Sequence, residues 1–571
     1  MPARQPPSRR RFLEQRVAAT SLAAGVAARR VAAPRARPPG PPPASFLDVL
    51  RPPDAVVAQT DAAFLTLGAT GAARWEGGGI VVTTDRGAAA LAVGLEAPGV
   101  PVRRLHLRWR GDLSATRLLL GDAWERGYGD LEWRGFVPDR AMPWYCALWN
   151  GRLAHGYGVR TGPAAFCFWQ ADRDGLSLWA DVRSGGVPLQ LGGRRLDVCD
   201  VVCRPGRPGE SAFAAVHMLC RLMCPAPRLP ARPVYGHNDW YAAYGDTSEA
   251  SALADAARIV ELSPAGDNRP FAVLDDGWQP GRSPSRPLPG VWDRGNEKFP
   301  DMPGLAARIR GAGARPGIWM RPLELPADAP AAWTIPRQGA MLDPTVPAVK
   351  EKVAADVARL AQWGFDLIKH DYSTYDIVGR WGFQMGTALT PEGWTFGEGA
   401  GRTTAEVIGE LYDTIRAAAG EALVIGCNTV SHLSAGRFEM CRIGDDTSGT
   451  EWARTRRMGV NSLAFRGAQQ GAFYVADPDC VGVTAAVPWQ LNRQWLDLLS
   501  RSGTMTFVSV AAAALTDAVR RDLRAALALA ATPQPLGEPL DWQAGVWPRR
   551  WKLRGREVRY DWIGPEGVDA P

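Results

Sequence analysis

The sequence predicts a (β/α)8 TIM barrel as its catalytic domain, preceded by an antiparallel β-sandwich and followed by a short C-terminal β segment. Three observations predict it. In the middle third, short apolar strands alternate with amphipathic helices: "VLDDGW" (273–278), "PGIWMRP" (316–322), "DLIKHDY" (366–372), "LVIGCNT" (423–429), "RIGDD" (442–446) and "TMTFVSV" (504–510). Strand, helix, strand over some 280 residues is the rhythm of such a barrel. Before it, segments with a period of two recur between turn residues, and after it there is room for only a helix and a few strands.

The elements follow in chain order. Residues 1–44 hold a basic head and the Pro-rich linker "PRARPPGPPPA" (34–44), which cannot pack a core. "SRRRFL" (Ser8–Leu13) resembles the twin-arginine export signal. "VAATSLAAGVAA" (17–28) after it is too short to span a bilayer, and Val26-Ala27-Ala28 suits a signal peptidase. Export is therefore expected. From 45 to 225, "IVVTT" (80–84), "RRLHLRWRGDL" (103–113) and "LDVCDVVC" (196–203) alternate apolar and polar residues as sandwich strands do, and "SAFAAVHMLCRLMC" (211–224) reads as a helix. The barrel is placed at 232–515. Within it Val349, Val353, Val357 and Leu360 share one helix face, and Gly364 stops that helix. Residues 516–571 start helical and end in pieces such as "EVRYDWI" (557–563).

Charge and cysteine content narrow the function. The net charge is +7, but nine arginines and one acid in residues 1–40 contribute +8, leaving the other 531 residues at −1. A near-neutral body offers no basic stripe for phosphates, so nucleic acid is not an expected partner. No later run is apolar enough to enter a membrane. The nine cysteines lack paired CxxC or His spacing; Cys199/Cys203 and Cys220/Cys224 are expected to be structural thiols or one disulfide.

Catalytic groups of a barrel sit at the C-terminal ends of its strands. Here four strands end in acid: Asp275-Asp276, Asp371, Asp445-Asp446 and Asp477/Asp479. Converging carboxylates bind a divalent metal, or hold and cleave a sugar. Metal would want His or further Glu alongside. Of six histidines only His237 and His370 lie near strand ends, and His370 should point away from Asp371 into the barrel wall. No metal or cofactor is expected; two carboxylates in distinct roles fit sugar chemistry. The chain has only five lysines, yet Lys369 stands two residues from Asp371, on the same strand face.

"VLDDGWQ", "GVWDRGNEKFPDMPGLAARIRGAGARPGIWMRP", "WGFDLIKHDY" and "CRIGDDTSGTEW", in that order and spacing, resemble clan D glycoside hydrolases. The resemblance is to family 36 α-galactosidases, with some family 27 features. It implies that Asp371 is the nucleophile of a retaining double displacement, with Lys369 holding it ionised and touching a sugar hydroxyl. It makes Asp446 the acid/base through the Arg442-x-x-x-Asp446 spacing, with Asp445 the rival. On a pleated strand the two would face opposite ways. It places Asp275 and Asp276 on the 4- and 6-hydroxyls of a terminal galactose, Trp240 and Trp319 against the sugar's C–H face, and Cys427 near O2. The activity it implies is an exo-acting α-galactosidase that takes oligosaccharides or glycoconjugates with terminal α-galactose. A raffinose-synthase-like transglycosylase, an α-N-acetylgalactosaminidase and a catalytically silent glycan-binding relative are the alternatives.

Overall fold

The computed structural model describes residues 46–563, apart from 284–285, 288–290, 338–340 and 400, together with Gly567. The expected export signal lies outside the described residues.

Two antiparallel sheets come first, one of six strands and one of eight. Their alternation is the one read from sequence: in Arg104–Arg110, Leu105, Leu107 and Trp109 are buried while Arg104, His106 and Arg108 are not. The sheets meet through aromatic rings. Trp169 lies 6.1 Å from Trp109, both on the six-stranded sheet, and 6.3 Å from Tyr157 of the eight-stranded sheet. Each such indole removes about 200 Å² from water, worth on the order of 5 kcal/mol before the entropy of ordering it. The helix Ala212–Met223 follows, its first turn capped by the Ser211 hydroxyl accepting from the Ala214 N–H.

A parallel sheet of nine strands forms the middle of the chain: β1 (Tyr235–Asn238), β2 (Phe271–Leu274), β3 (Arg315–Met320), β4 (Leu367–His370), β5 (Leu423–Gly426), β6 (Met440–Arg442), β7 (Val475–Asp477), β8 (Val481–Val483) and β9 (Thr506–Val510). The spatial order is β7-β6-β5-β4-β3-β2-β1-β9-β8. The sheet curls, so that β7 and β8 at its two ends are joined by only Pro478, Asp479 and Cys480. Helices Glu249–Leu262, Met302–Gly311, Pro347–Gln362 and Thr404–Ala418 return the chain between successive strands from β1 to β5. In the third of these Val349, Val353, Val357 and Leu360 are buried, and Gly364 (φ +97°) ends it in a conformation that only glycine adopts without strain.

Helix Asp517–Ala530 and a three-stranded antiparallel sheet complete the chain. The tail packs on the segment after β6, where the Trp562 carbonyl accepts from Trp452 Nε1 at 2.9 Å.

All nine cysteines are free, eight buried and Cys203 partly so: of the two expected alternatives they are structural thiols, and the one disulfide is not formed. Cys199 and Cys203 lie on one strand, Leu196–Arg204. Four residues of extended chain span about 13 Å, beyond the ~7 Å that a disulfide tolerates between Cα atoms.

Candidate active site

Because the nine strands are parallel, their C-terminal ends form one edge, and the acids read from sequence gather there. Asp275 follows β2, Asp371 follows β4, Asp477 ends β7, and Asp445 and Asp446 lie three and four residues past the end of β6.

Lys369 reaches across from β4 to β2. Its Nζ donates to Asp275 Oδ2 at 2.6 Å, and the same oxygen accepts from Asn238 Nδ2 at 2.7 Å. Asp275 Oδ1 takes the Asp276 N–H at 2.9 Å, so both oxygens of this nearly buried carboxylate already have protein donors. The lysine's direct partner is thus Asp275, where the sequence reading put Asp371. Burial alone would lower the Lys369 pKa; the Asp275 charge outweighs it, and the ammonium is held charged. Asp276 is half-buried and accepts from Gln279 Nε2 at 2.8 Å.

Asp371 is held from two sides. Trp319 Nε1 donates to its Oδ2 at 3.1 Å, and the Tyr372 N–H donates to its Oδ1 at 2.8 Å. Tyr372 itself has φ +68°, a left-handed conformation that costs a bulky residue of order 1–3 kcal/mol. Burial pushes the Asp371 pKa up, but the charges of Lys369 and Arg126 and the Trp319 hydrogen bond bring it below the ordinary carboxylate value. A buried, ionised carboxylate with an oriented lone pair is what a nucleophile requires. Trp319, expected as an apolar wall, is itself buried against Trp292, and its indole nitrogen serves the carboxylate. His370 points the other way, as expected, its ring edge-on to Tyr412 and Phe438, and burial drives its pKa down to about 3.

Arg442 gathers the opposite side. Its Nη2 lies 2.5 Å from Asp479 Oδ2 and 3.1 Å from Asp446 Oδ1, and its Nη1 donates to Cys427 Sγ at 3.4 Å. Burial keeps the Cys427 thiol protonated. Asp479 is further occupied by Thr447, through the N–H at 2.7 Å and the hydroxyl at 3.0 Å, and by the Tyr241 hydroxyl. Since β6 ends at Arg442, the pleat does not set which way Asp445 and Asp446 face; their partners do. Asp445 is clamped between Arg126 Nη2 (2.8 Å) and Arg454 Nη2 (2.9 Å). Asp446 is half-buried, and its charge acts on Asp371. Trp240 is half-buried at the same edge, its ring 5.7 Å from that of Tyr244.

Sequence reasoning missed Asn238, Asp239 and Arg126. The first two stand in "HND" at the end of β1, a strand end noted from sequence only for His237; two polar residues after a short apolar run were the available signal. Arg126 carried none, because it arrives from the antiparallel sheets. Its neighbour Gly127 bonds to the loop after β6: the Gly127 N–H donates to Ile443 O and the Asp445 N–H to Gly127 O, both at 2.8 Å. The approach leaves no room for a Cβ on either segment. A Cβ on Gly127 would lie 2.8 Å from Ser462 Oγ, and one on Gly444 2.4 Å from Met458 O.

Asp239 gives a pH prediction. Its Oδ1 accepts the Asp275 N–H at 2.8 Å, and burial, then the Asp275 charge, raise its pKa from 3.8 to about 7. Between those values the folded chain holds a proton that the unfolded chain has released, so this group's contribution to stability falls as pH rises through the window. Asp239→Asn keeps the acceptor and removes the titration. The variant's stability relative to wild type, read from urea midpoints, should increase between pH 5 and pH 8 by at least about 1 kcal/mol. A difference that stays constant with pH would count against it.

With the geometry in place, comparison with known proteins gives a consistent result. No family model and no curated protein sequence matches the chain. Solved structures do. The α-galactosidase TtGalA of Thermus thermophilus, in complex with p-nitrophenyl α-D-galactopyranoside, is 19% identical with a TM-score of 0.57, over 89% of this chain and 99% of that one. The family 36 α-galactosidase AgaB of Geobacillus stearothermophilus is 18% identical with a TM-score of 0.54, over 79% and 67%. The galactosidase domain of the α-galactosidase–sucrose kinase AgaSK is 17% identical with a TM-score of 0.54, over 81% and 67%. The fold is therefore that of the family 36 α-galactosidases, an antiparallel-sheet region leading into a parallel α/β sheet.

Proposed function

We propose that this protein is a retaining, exo-acting α-galactosidase that hydrolyses terminal α-galactosides through a covalent glycosyl-enzyme. The observation that carries the reading is the pairing of Asp371, ionised and oriented after β4, with Asp446, half-buried after β6 and electrostatically coupled to it. In step one Asp371 attacks the anomeric carbon while Asp446 protonates the leaving oxygen. In step two Asp446 takes a proton from water, which attacks the anomeric carbon and releases Asp371. Asp276 and the Lys369–Asp275 pair lie on the far side of the site, suited to the 4- and 6-hydroxyls. Structural neighbours crystallised with stachyose and raffinose support this substrate class.

The organisation proposed with it is an export signal and linker (1–44), a β-sandwich (45–225), a (β/α)8 barrel (232–515) and a C-terminal helix and β segment (516–571). A bond from the Met505 N–H, just before β9, to Ala476 O of β7 (3.2 Å) supports closure of the barrel. Among the described residues no helix is long and apolar enough to cross a membrane. Changing Arg9 and Arg10 to Lys should trap the protein in the cytoplasm; unaltered secretion would reject the signal.

The activity is tested with a panel of nitrophenyl α-glycosides, following the first-formed anomer by NMR. α-Galactose as the first product from the α-galactoside is expected. β-Galactose would exclude retention. Preference for the α-N-acetylgalactosaminide would change the substrate, and transfer to added sucrose in place of water would make the protein a transglycosylase.

A further inference from the structure

The segment carrying Arg126 joins strand Leu118–Gly121 of the eight-stranded sheet to Met142–Pro143 of the six-stranded one. It is fixed from several directions. Arg466 Nε donates to Asp122 Oδ1 at 2.7 Å and its Nη1 to Glu125 O at 2.8 Å, while Glu125 Oε2 accepts from Asn428 Nδ2 at 2.7 Å and its Oε1 from the Gly382 N–H at 3.1 Å. The Arg126 side chain is 1% exposed. Its Nη2 is spent on Asp445 at 2.8 Å, and its Nε faces Tyr128 Oη at 3.4 Å and Glu125 Oε1 at 3.8 Å. The Tyr128 and Trp381 rings lie 5.6 and 5.8 Å from the guanidinium carbon.

Nη1 is different. It is buried, has no hydrogen-bond partner among the described residues, and stands 3.9 Å from Asp446 Oδ1. The guanidinium's charge reaches Asp371, and the Cys427 sulfur as well. An unspent cationic donor therefore sits beside the ends of β4, β5 and β6, whereas Asp275 and Asp276 follow β2, four positions from β6 in the sheet. On the reading proposed above, the anomeric carbon lies between Asp371 and Asp446, so the sugar atoms near Nη1 are the leaving oxygen and the substituent on C2. The leaving oxygen must take the proton of Asp446. The 2-hydroxyl, one carbon away, has an oxygen free to accept, and its own hydrogen can then turn to a carboxylate.

We infer that Arg126 is a specificity-determining residue supplied by the antiparallel-sheet region, its Nη1 donating to the 2-hydroxyl oxygen of the terminal sugar. As positive charge develops at C1 the hydroxyl becomes the better donor, so its own bond to a carboxylate strengthens in the transition state while Nη1 fixes its orientation. The contact also gives the antiparallel sheets a part in the site beyond supporting it.

The test compares nitrophenyl α-galactoside with its 2-deoxy analogue in the full-length protein. The ratio of the two kcat/KM values within one variant is independent of the fraction folded, so a partly unstable variant still reports. In Arg126→Met the wild-type preference for the 2-hydroxylated substrate should fall by about 30-fold or more, the worth of a charged hydrogen bond. Arg126→Lys should recover part of it. An unchanged ratio overturns the assignment, even if both activities drop. If wild type cleaves another α-glycoside instead, the galactosidase reading fails, and that sugar and its 2-deoxy form test Arg126 in the same way. If it cleaves none, calorimetry with galactose and 2-deoxygalactose gives the comparison, and binding of neither rejects both proposals.

Discussion

Asp371→Ala should abolish turnover of every glycoside, with kcat/KM falling by at least ~10⁴-fold, because covalent catalysis loses the atom that forms the bond. The loss should not be one of folding. Lys369 keeps its 2.6 Å partner Asp275, and the donors that lose Asp371 as acceptor are one indole N–H and one backbone N–H. Urea midpoints should therefore shift far less than activity does. The vacated volume is lined by Lys369, Trp319 and the nearby charge of Arg126, an environment that favours a small anion. Azide should enter it and attack the nitrophenyl substrate from the nucleophile's side, giving a galactosyl azide of inverted configuration. Residual activity within tenfold of wild type would remove Asp371 from the nucleophile's role.

The second large effect separates Asp446 from Asp445. Nitrophenolate leaves without a proton, so Asp446→Ala should still form the covalent intermediate and then stall, since no base activates water. Steady-state kcat should fall by about 10²–10⁴-fold with a burst of one nitrophenolate per site. Azide, which needs no base, should restore turnover and give a product of retained configuration. Asp445→Ala should behave differently. It releases Arg126 and Arg454 from their 2.8 and 2.9 Å contacts and disturbs the site without removing a proton carrier, so activity drops with no burst and no azide rescue. Azide rescue with retention in Asp445→Ala, and not in Asp446→Ala, would reverse the assignment. With Asp477 Oδ1 bonded to the Asp479 N–H at 2.9 Å and Asp479 held by Arg442, Thr447 and Tyr241, neither of those acids is placed to take over.

Much of this arrangement was legible in the sequence. Period-two segments before residue 205 and the strand–helix alternation after 270 are local patterns, set by which face of each element is buried. The structure shows them at Arg104–Arg110 and in the helix Pro347–Gln362. Acids after apolar strands were enough to locate the edge where the carboxylates gather, since in a parallel sheet all strand ends of one kind lie together. What each acid touches was not legible. Lys369 finds Asp275, 94 residues away, because its side chain reaches across β3, from the end of β4 to the end of β2. The face assignment of Asp445 and Asp446 assumed a strand that stops at Arg442.

By itself, then, the sequence determined the two kinds of sheet, the edge where the carboxylates collect, and Asp371 and Asp446 as the pair to test. Only the tertiary structure decided the electrostatics. It brought Arg126 from the antiparallel sheets to within 2.8 Å of Asp445, through a contact between Gly127 and Gly444, where a Cβ on either residue would run into Ser462 or Met458. Periodicity records burial, a property each residue has with respect to its own neighbours. Pairing of charges across more than 300 residues depends on where the whole chain closes, and no local pattern encodes it.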